Sequence, residues 1–292
     1  MKFLTFSRLL VEATCGLLLV LASGAALPAN AQMVGFTAEL DSMLWETESS
    51  EDVLSDLAYY GVYHVYANFT NPTDVLGAVY ADVVALGTPP MGIDAPCGCN
   101  NPAMTSIAVD ASNNPGFFAA FPEYQFDSFW TIGMTTSQDA GQLPSHIGMG
   151  GPSDLCSGLN IENGTVYIIG ETGDWPVNAV AGDNLKVLIA RVTTCSDFTI
   201  QACVQVFLAG DQNDVQQFCP DALEVLHEGC TDLGACNYNP NATTDDGNCE
   251  FDDGIYGCDG ECISDIDGDG VCDPNEIGGC TDLGACNFNE LA

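Results

Sequence analysis

The segment GCTDLGACNYN at 229–239 returns as GCTDLGACNFN at 279–289, a repeat of period 50 with a single conservative change. One complete period carries six cysteines, at 230, 236, 249, 258, 262 and 272, in a stretch dense in Asp, Gly and Asn. Apolar residues are too few there to bury a core, so the ordering entropy has to be offset by cross-links or bound ions. Six is an even number, so each unit can close its own bridges, although the pairing is not readable from spacing. The second copy stops at Ala292, before its counterpart of Cys249, and the full protein is expected to continue with further repeats.

Disulfides need an oxidising compartment, and the N-terminus supplies the route. Lys2 and Arg8 precede the apolar run CGLLLVLASGAAL, and Ala29-Asn30-Ala31 forms an A-x-A cleavage site, so residues 1–31 read as a signal peptide. The run is too short to span a bilayer, and no later segment comes closer. Removal of Cys15 with the signal takes the 15 cysteines to an even 14. Zinc is the competing use, but C-x-x-C pairs are absent and there are only three histidines.

Cleavage also takes Lys2, Arg8 and Glu12. Of 41 acids 40 then remain, against Lys186 and Arg191, for a net charge of −38. Such a field repels nucleic acid and anionic lipid and attracts cations. It also strains the folded state unless salt or bound cations screen it, which suits a saline or calcium-rich surrounding.

Composition changes near Pro220. Residues 32–220 carry β-prone runs: VYHVYANF, VLGAVYADVVAL, FDSFWTIGM, TVYIIG, LKVLIARVTT and ACVQVFLAG, separated by Gly, Pro, Asn and Asp clusters. In VYHVYANF, Tyr63, Val65, Ala67 and Phe69 share one face and Val62, His64, Tyr66 and Asn68 the other. Apolar residues on both faces suit a strand inside an antiparallel β-sandwich. SSEDVLSDLAYYG is expected to form a short helix, and GTPPMGIDAPCGCNNP a loop pinned through Cys97 or Cys99. Residues 221–292 form the Cys-rich tail.

Within the tail, DIDGDGVCDPNE (265–276) has the spacing of a calcium loop. Asp265, Asp267, Asp269, Val271 through its carbonyl, Asp273 and Glu276 fall at positions 1, 3, 5, 7, 9 and 12, with Gly270 at the sharp turn. Calcium takes hard oxygen ligands, and carboxylates at alternate positions can converge on it. No amphipathic helix flanks the loop, so a structural rather than a switching role is expected. TDDGNC, EFDDG and AGDQNDVQ read as plain turns or a hairpin tip.

GCTDLGACNYNPNATTDDGNCEF resembles the Cys-rich repeats of secreted surface proteins from marine bacteria of the Bacteroidetes group, where GCTD…ACNY…DDGSC units precede C-terminal secretion signals. YGCDGECISDIDGDGVCDPNEIGGC resembles the dockerin-like and thrombospondin-like calcium loops interleaved with them. VYANFTNPTDVLGAVYAD and FPEYQFDSFWTIGM resemble an uncharacterised β-rich domain found upstream of such tails. The resemblance implies a surface-exposed protein and no particular activity.

Catalytic signatures are sparse. G-x-S-x-G, H-E-x-x-H and phosphate-cradling glycine loops do not occur. His146, in a glycine-rich loop, and the carboxylates Glu123, Asp127 and Asp139 are the remaining candidates. Phe117, Phe118, Phe121, Tyr124, Phe126, Phe129, Trp130 and the more distant Trp175 could stack on sugars, but a sandwich core also needs large side chains. The sequence therefore predicts a secreted, non-enzymatic, all-β protein of the cell surface or matrix, with an adhesive or structural role. Calcium is its expected ion, and surface glycans or matrix components are candidate partners. A carbohydrate-binding module is the first alternative, and a hydrolase with an unrecognised site the second.

Overall fold

A computed structural model describes residues 33–44, 55–102, 114–150, 155–266, 271–275, 278–280, 282–284 and 286. The predicted export signal lies outside them. Their regular structure is strand and short 3-10 turns.

The first sheet has the order β1-β2-β9-β5, from β1 (Met33–Leu44), β2 (Tyr60–Phe69), β9 (Lys186–Thr194) and β5 (Phe129–Trp130), all antiparallel. Opposite it lie two further sheets. One runs β12 (Val215–Phe218), β11 (Cys203–Phe207), β3 (Val75–Asp82), β8 (Asn163–Tyr167), β6 (Ser145–Ile147). The other runs β13 (Leu223–Val225), β10 (Phe198–Gln201), β4 (Met91–Asp94), β7 (Ser157–Ile161). Their orders match because β10 leads into β11 through Ala202, β7 into β8 through Glu162, β3 into β4 and β12 into β13. The two sheets thus follow one another along the chain, each antiparallel. The described residues are all-β and sandwich-like, as expected.

The face assignment on β2 follows the pleat. Tyr63, Val65, Ala67 and Phe69 enter the core, beside Val187, Ile189 and Val192 of β9 and Leu76, Val79, Ile93, Ile200, Val204 and Val206 of the facing layer. On the opposite face His64, Tyr66 and Asn68 are half-buried.

Several expectations need revision. GTPPMGIDAPCGCNNP is not all loop. Met91–Asp94 forms β4, with Met91 and Ile93 fully buried. A Cβ on Gly92 would lie 2.2 Å from the Gly158 carbonyl, so this glycine permits the close β4–β7 approach rather than marking a turn. In FDSFWTIGM only Phe129 and Trp130 join the ladder, although Thr131 and Gly133 still donate to the Ile189 and Leu188 carbonyls at 2.8 and 2.7 Å. The expected helix is represented by a 3-10 turn at Ser55–Leu57, and residues 49–54 lie outside the described residues.

Disulfides fasten the layers. Cys97–Cys195 and Cys99–Cys156 both pin the 95–102 loop, and Cys203–Cys219 ties β11 to the end of β12. Just past Pro220, β13 pairs with β10, and β14 (Glu228–Gly229) lies parallel to β15 (Thr244–Asp245).

Candidate functional site

The six cysteines of the repeat pair among themselves, as Cys230–Cys249, Cys236–Cys258 and Cys262–Cys272. The last of these encloses most of the predicted calcium loop. Asp273 reinforces the same closure: its amide donates to the Ser264 carbonyl at 2.8 Å, and its Oδ1 accepts the Ile266 amide at 2.8 Å. Its Oδ2 accepts the Ser264 hydroxyl. These bonds, the one from Ser264 foremost, hold the Asp273 carboxyl below its ordinary pKa and therefore ionised.

Of the predicted ligands, Asp265, Val271 and Asp273 stand at this neck, whereas Asp267, Asp269 and Glu276 lie outside the described residues. No group of three or more His, Cys, Asp or Glu positioned for a metal occurs among the described residues. The all-oxygen donor set suits a hard cation. Both oxygens of Asp273 already accept protein hydrogen bonds, so its contact with calcium would run through a water, as position 9 often does.

The remaining acidic clusters are turn caps. Asp245, Asp246 and Asp252 accept the amides of Gly247, Asn248 and Gly254, and Asp253 those of Ile255 and Tyr256. Asp211 does the same for Asn213 at the β11–β12 tip. Each short carboxylate closes its own backbone turn.

The histidines serve separate places. His146 lies half-buried on β6. His64 sits edge-on to Tyr66 and 3.9 Å from Asp41, with burial as the main cause of its lowered pKa. His227 is fully buried. Its Nε2 lies 3.0 Å from the Tyr59 carbonyl and its Nδ1 3.0 Å from the Tyr63 hydroxyl. A carbonyl can only accept, so Nε2 carries the proton and Nδ1 accepts from Tyr63. Burial lowers the His227 pKa and raises that of Tyr63.

Of the candidate carboxylates, Asp139 caps a turn. Asp139 accepts from the amides and hydroxyls of Thr135 and Thr136 at 2.6–3.1 Å, which keeps its pKa low despite partial burial. Asp127 and Glu123 lie in the segment that leads into β5, the edge strand beside β9. There Arg191 donates from Nε to the Asp127 carbonyl at 2.6 Å and stacks on Phe129, its guanidinium carbon 4.5 Å from the ring centroid. Burial is the main influence on Arg191, whose pKa is lowered to about 10.

The aromatic cluster belongs mostly to packing. Tyr124, Phe129 and Trp130 are buried, and Phe118, Phe121 and Phe126 half-buried. Trp175 lies against Phe207 and donates to the Gly210 carbonyl at 2.7 Å. Only Phe117 is well exposed, at 59%.

A different aromatic borders open space. A depression of about 610 Å³ is lined by Tyr66, Thr135, Asn178, Asp183, Asn184 and Lys186, among others. Lys186 lies over the Tyr66 ring at 4.1 Å and pairs with Glu39 at 2.7 Å. Both basic residues among the described residues, Lys186 and Arg191, thus stand on β9. The β2 pattern had grouped Tyr66 with His64 and Asn68 on one face, which the structure makes the outer one. The depression itself could not be foreseen, because the 177–185 loop and the Gly133–Thr135 turn that complete it are distant in sequence.

Comparison with protein-family models, curated proteins and solved structures finds no match to this chain. No helix among the described residues is long and apolar enough to cross a membrane.

Proposed function

We propose that this protein is an exported component of the cell surface or extracellular matrix, in which a rigid β-domain is carried on a calcium-stabilised, disulfide-closed repeat. The observation that supports this most directly is the neck of the 265–276 loop, closed by Cys262–Cys272 and by the Asp273 hydrogen bonds. Closing that neck lowers the ordering cost of bringing the remaining carboxylates together. Calcium would then be held by Asp265, Asp267, Asp269, Glu276, the Val271 carbonyl and, through water, Asp273. It would neutralise charge and stiffen a segment without a core.

Limited proteolysis of the mature chain in EGTA and in calcium tests this reading. Calcium at about 10⁻⁴–10⁻³ M, the range of extracellular modules, protects the 250–280 segment from cleavage. The double variant Asp265→Asn/Asp269→Asn loses that protection. Equal cleavage with and without several millimolar calcium refutes the proposal.

A carbohydrate-binding role is the second reading. It is favoured by the polar depression beside Tyr66 rather than by Trp130 or Trp175, which packing occupies. On a glycan array, Tyr66→Ala should then abolish binding while Phe117→Ala leaves it intact. The reverse pattern would move the site to the exposed phenylalanine.

A further inference from the structure

Asp74, the residue before β3, has no exposed surface. Its Oδ1 accepts the Ala209 amide at 2.8 Å, and its Oδ2, equally buried, meets no hydrogen-bond donor. A buried carboxylate with one protein donor is expensive unless something else compensates its second oxygen. The strand register shows where such compensation would sit. Val75 pairs with Phe207, and Phe207 with Val215. Asp74, Leu208 and Asp214 therefore continue the same row across three adjacent strands, and the Leu208 amide donates to the Asp214 carbonyl at 2.9 Å. At the usual strand spacing the two aspartate Cα atoms are roughly 10 Å apart, a span that an ion bridged to the outer carboxylate through water can fill. The charge of Asp214 acts on Asp74, adding to the effect of burial.

We propose that Asp74 and Asp214 form a second cation site, at the base of the β11–β12 hairpin, for a hard divalent ion of calcium's class. Asp74 supplies the buried oxygen, Asp214 the exposed side, and water the remaining positions. The site is independent of the C-terminal loop. Leaving the position is difficult for Asp74, since it also caps Ala209, which holds a left-handed φ of 50° next to Gly210 at 69°. A chain of net charge −38 once its signal is removed draws cations to such a place.

Trp175 is the reporter, because its Nε1 donates to the Gly210 carbonyl of the same turn. Terbium, a calcium-like probe, is titrated into the mature chain with excitation selective for tryptophan. Saturable luminescence, displaced by calcium, is expected. Asp74→Asn keeps an oxygen for the Ala209 cap but removes the charge, and it weakens binding by at least about tenfold. Exposed Asp214→Asn does likewise without touching the cap, and so serves if Asp74→Asn fails to fold. The C-terminal variant Asp265→Asn/Asp269→Asn retains the signal. Unchanged luminescence in Asp214→Asn overturns the proposal. So does a wild-type chain that gives no tryptophan-sensitised signal, or an Asp74→Asn chain whose Tm rises while wild type ignores calcium, the mark of a bound proton.

Discussion

Replacing His227 by alanine should destabilise the protein in a pH-dependent way. In the wild type the neutral ring bridges two separate parts of the chain, donating from Nε2 to the Tyr59 carbonyl and accepting at Nδ1 from Tyr63. Its amide and the Thr243 hydroxyl both donate to Asp197 Oδ1, at 2.6 and 2.5 Å. Asn239 Nδ2 packs 3.4 Å from the ring, and Glu228 and Asp197 are the acids that bear on the neighbouring Tyr63. Alanine removes two side-chain hydrogen bonds, about 1 kcal/mol each, and leaves the Tyr63 hydroxyl buried without its partner for about 1 kcal/mol more. The expected loss near neutrality is about 3 kcal/mol, or a Tm drop of about 6–12 °C for a chain of this size.

The sign with pH follows from burial. A histidine whose folded pKa is lowered favours folding fully above its unfolded pKa of about 6.5 and loses that contribution as pH falls below it. The gap between wild type and His227→Ala, measured by denaturant midpoints, is therefore widest above pH 7 and narrows toward pH 5. Taking the difference cancels His64, which titrates in the same direction. A gap that stays constant, or widens on acidification, refutes the assignment of a buried neutral ring.

Removing Cys97–Cys195, which closes a separation of 98 residues, by double alanine substitution should cost about 4–5 kcal/mol on the chain-entropy account, visible in the denaturant midpoint. A loss below about 1 kcal/mol would show that the unfolded chain gains little freedom there. Asp139→Ala should cost about 2 kcal/mol at neutral pH, because a partly buried carboxylate with four donors is lost. Its lowered pKa places that contribution above the unfolded value near 3.9, with loss as pH falls further. An equal cost for Asp139→Ala at pH 2 and pH 7 would refute this.

Local order dominated what could be read before the structure was known. Alternation put Tyr63, Val65, Ala67 and Phe69 together on one face of β2, because a strand's side chains alternate whatever it packs against, and burial made that face the inner one. The even cysteine set of the repeat pointed to self-contained bridging for a similarly local reason: 230 to 272 is a short, core-poor stretch. Asp-Gly turns were legible because the carboxylate bonds an amide two residues away. The calcium-loop pattern is a spacing; the hydrogen bonds that Asp273 makes at its neck, where only a ligand had been expected, came with the structure.

Tertiary structure alone decided the rest. β4 was hidden because a Pro-Pro preface and a glycine look like loop until Gly158 is seen against Gly92. The aromatic cluster was ambiguous in sequence, since the same rings serve a core or a surface, and burial assigned Trp130 to the core. His227 and Tyr63 are 164 residues apart, and Asp74 and Ala209 135, so no local pattern could join them. By itself the sequence determined strand faces, turns and the cross-linked tail, because these depend on neighbours along the chain. Which polar groups lost their water and met each other was decided by the way the sheets stack.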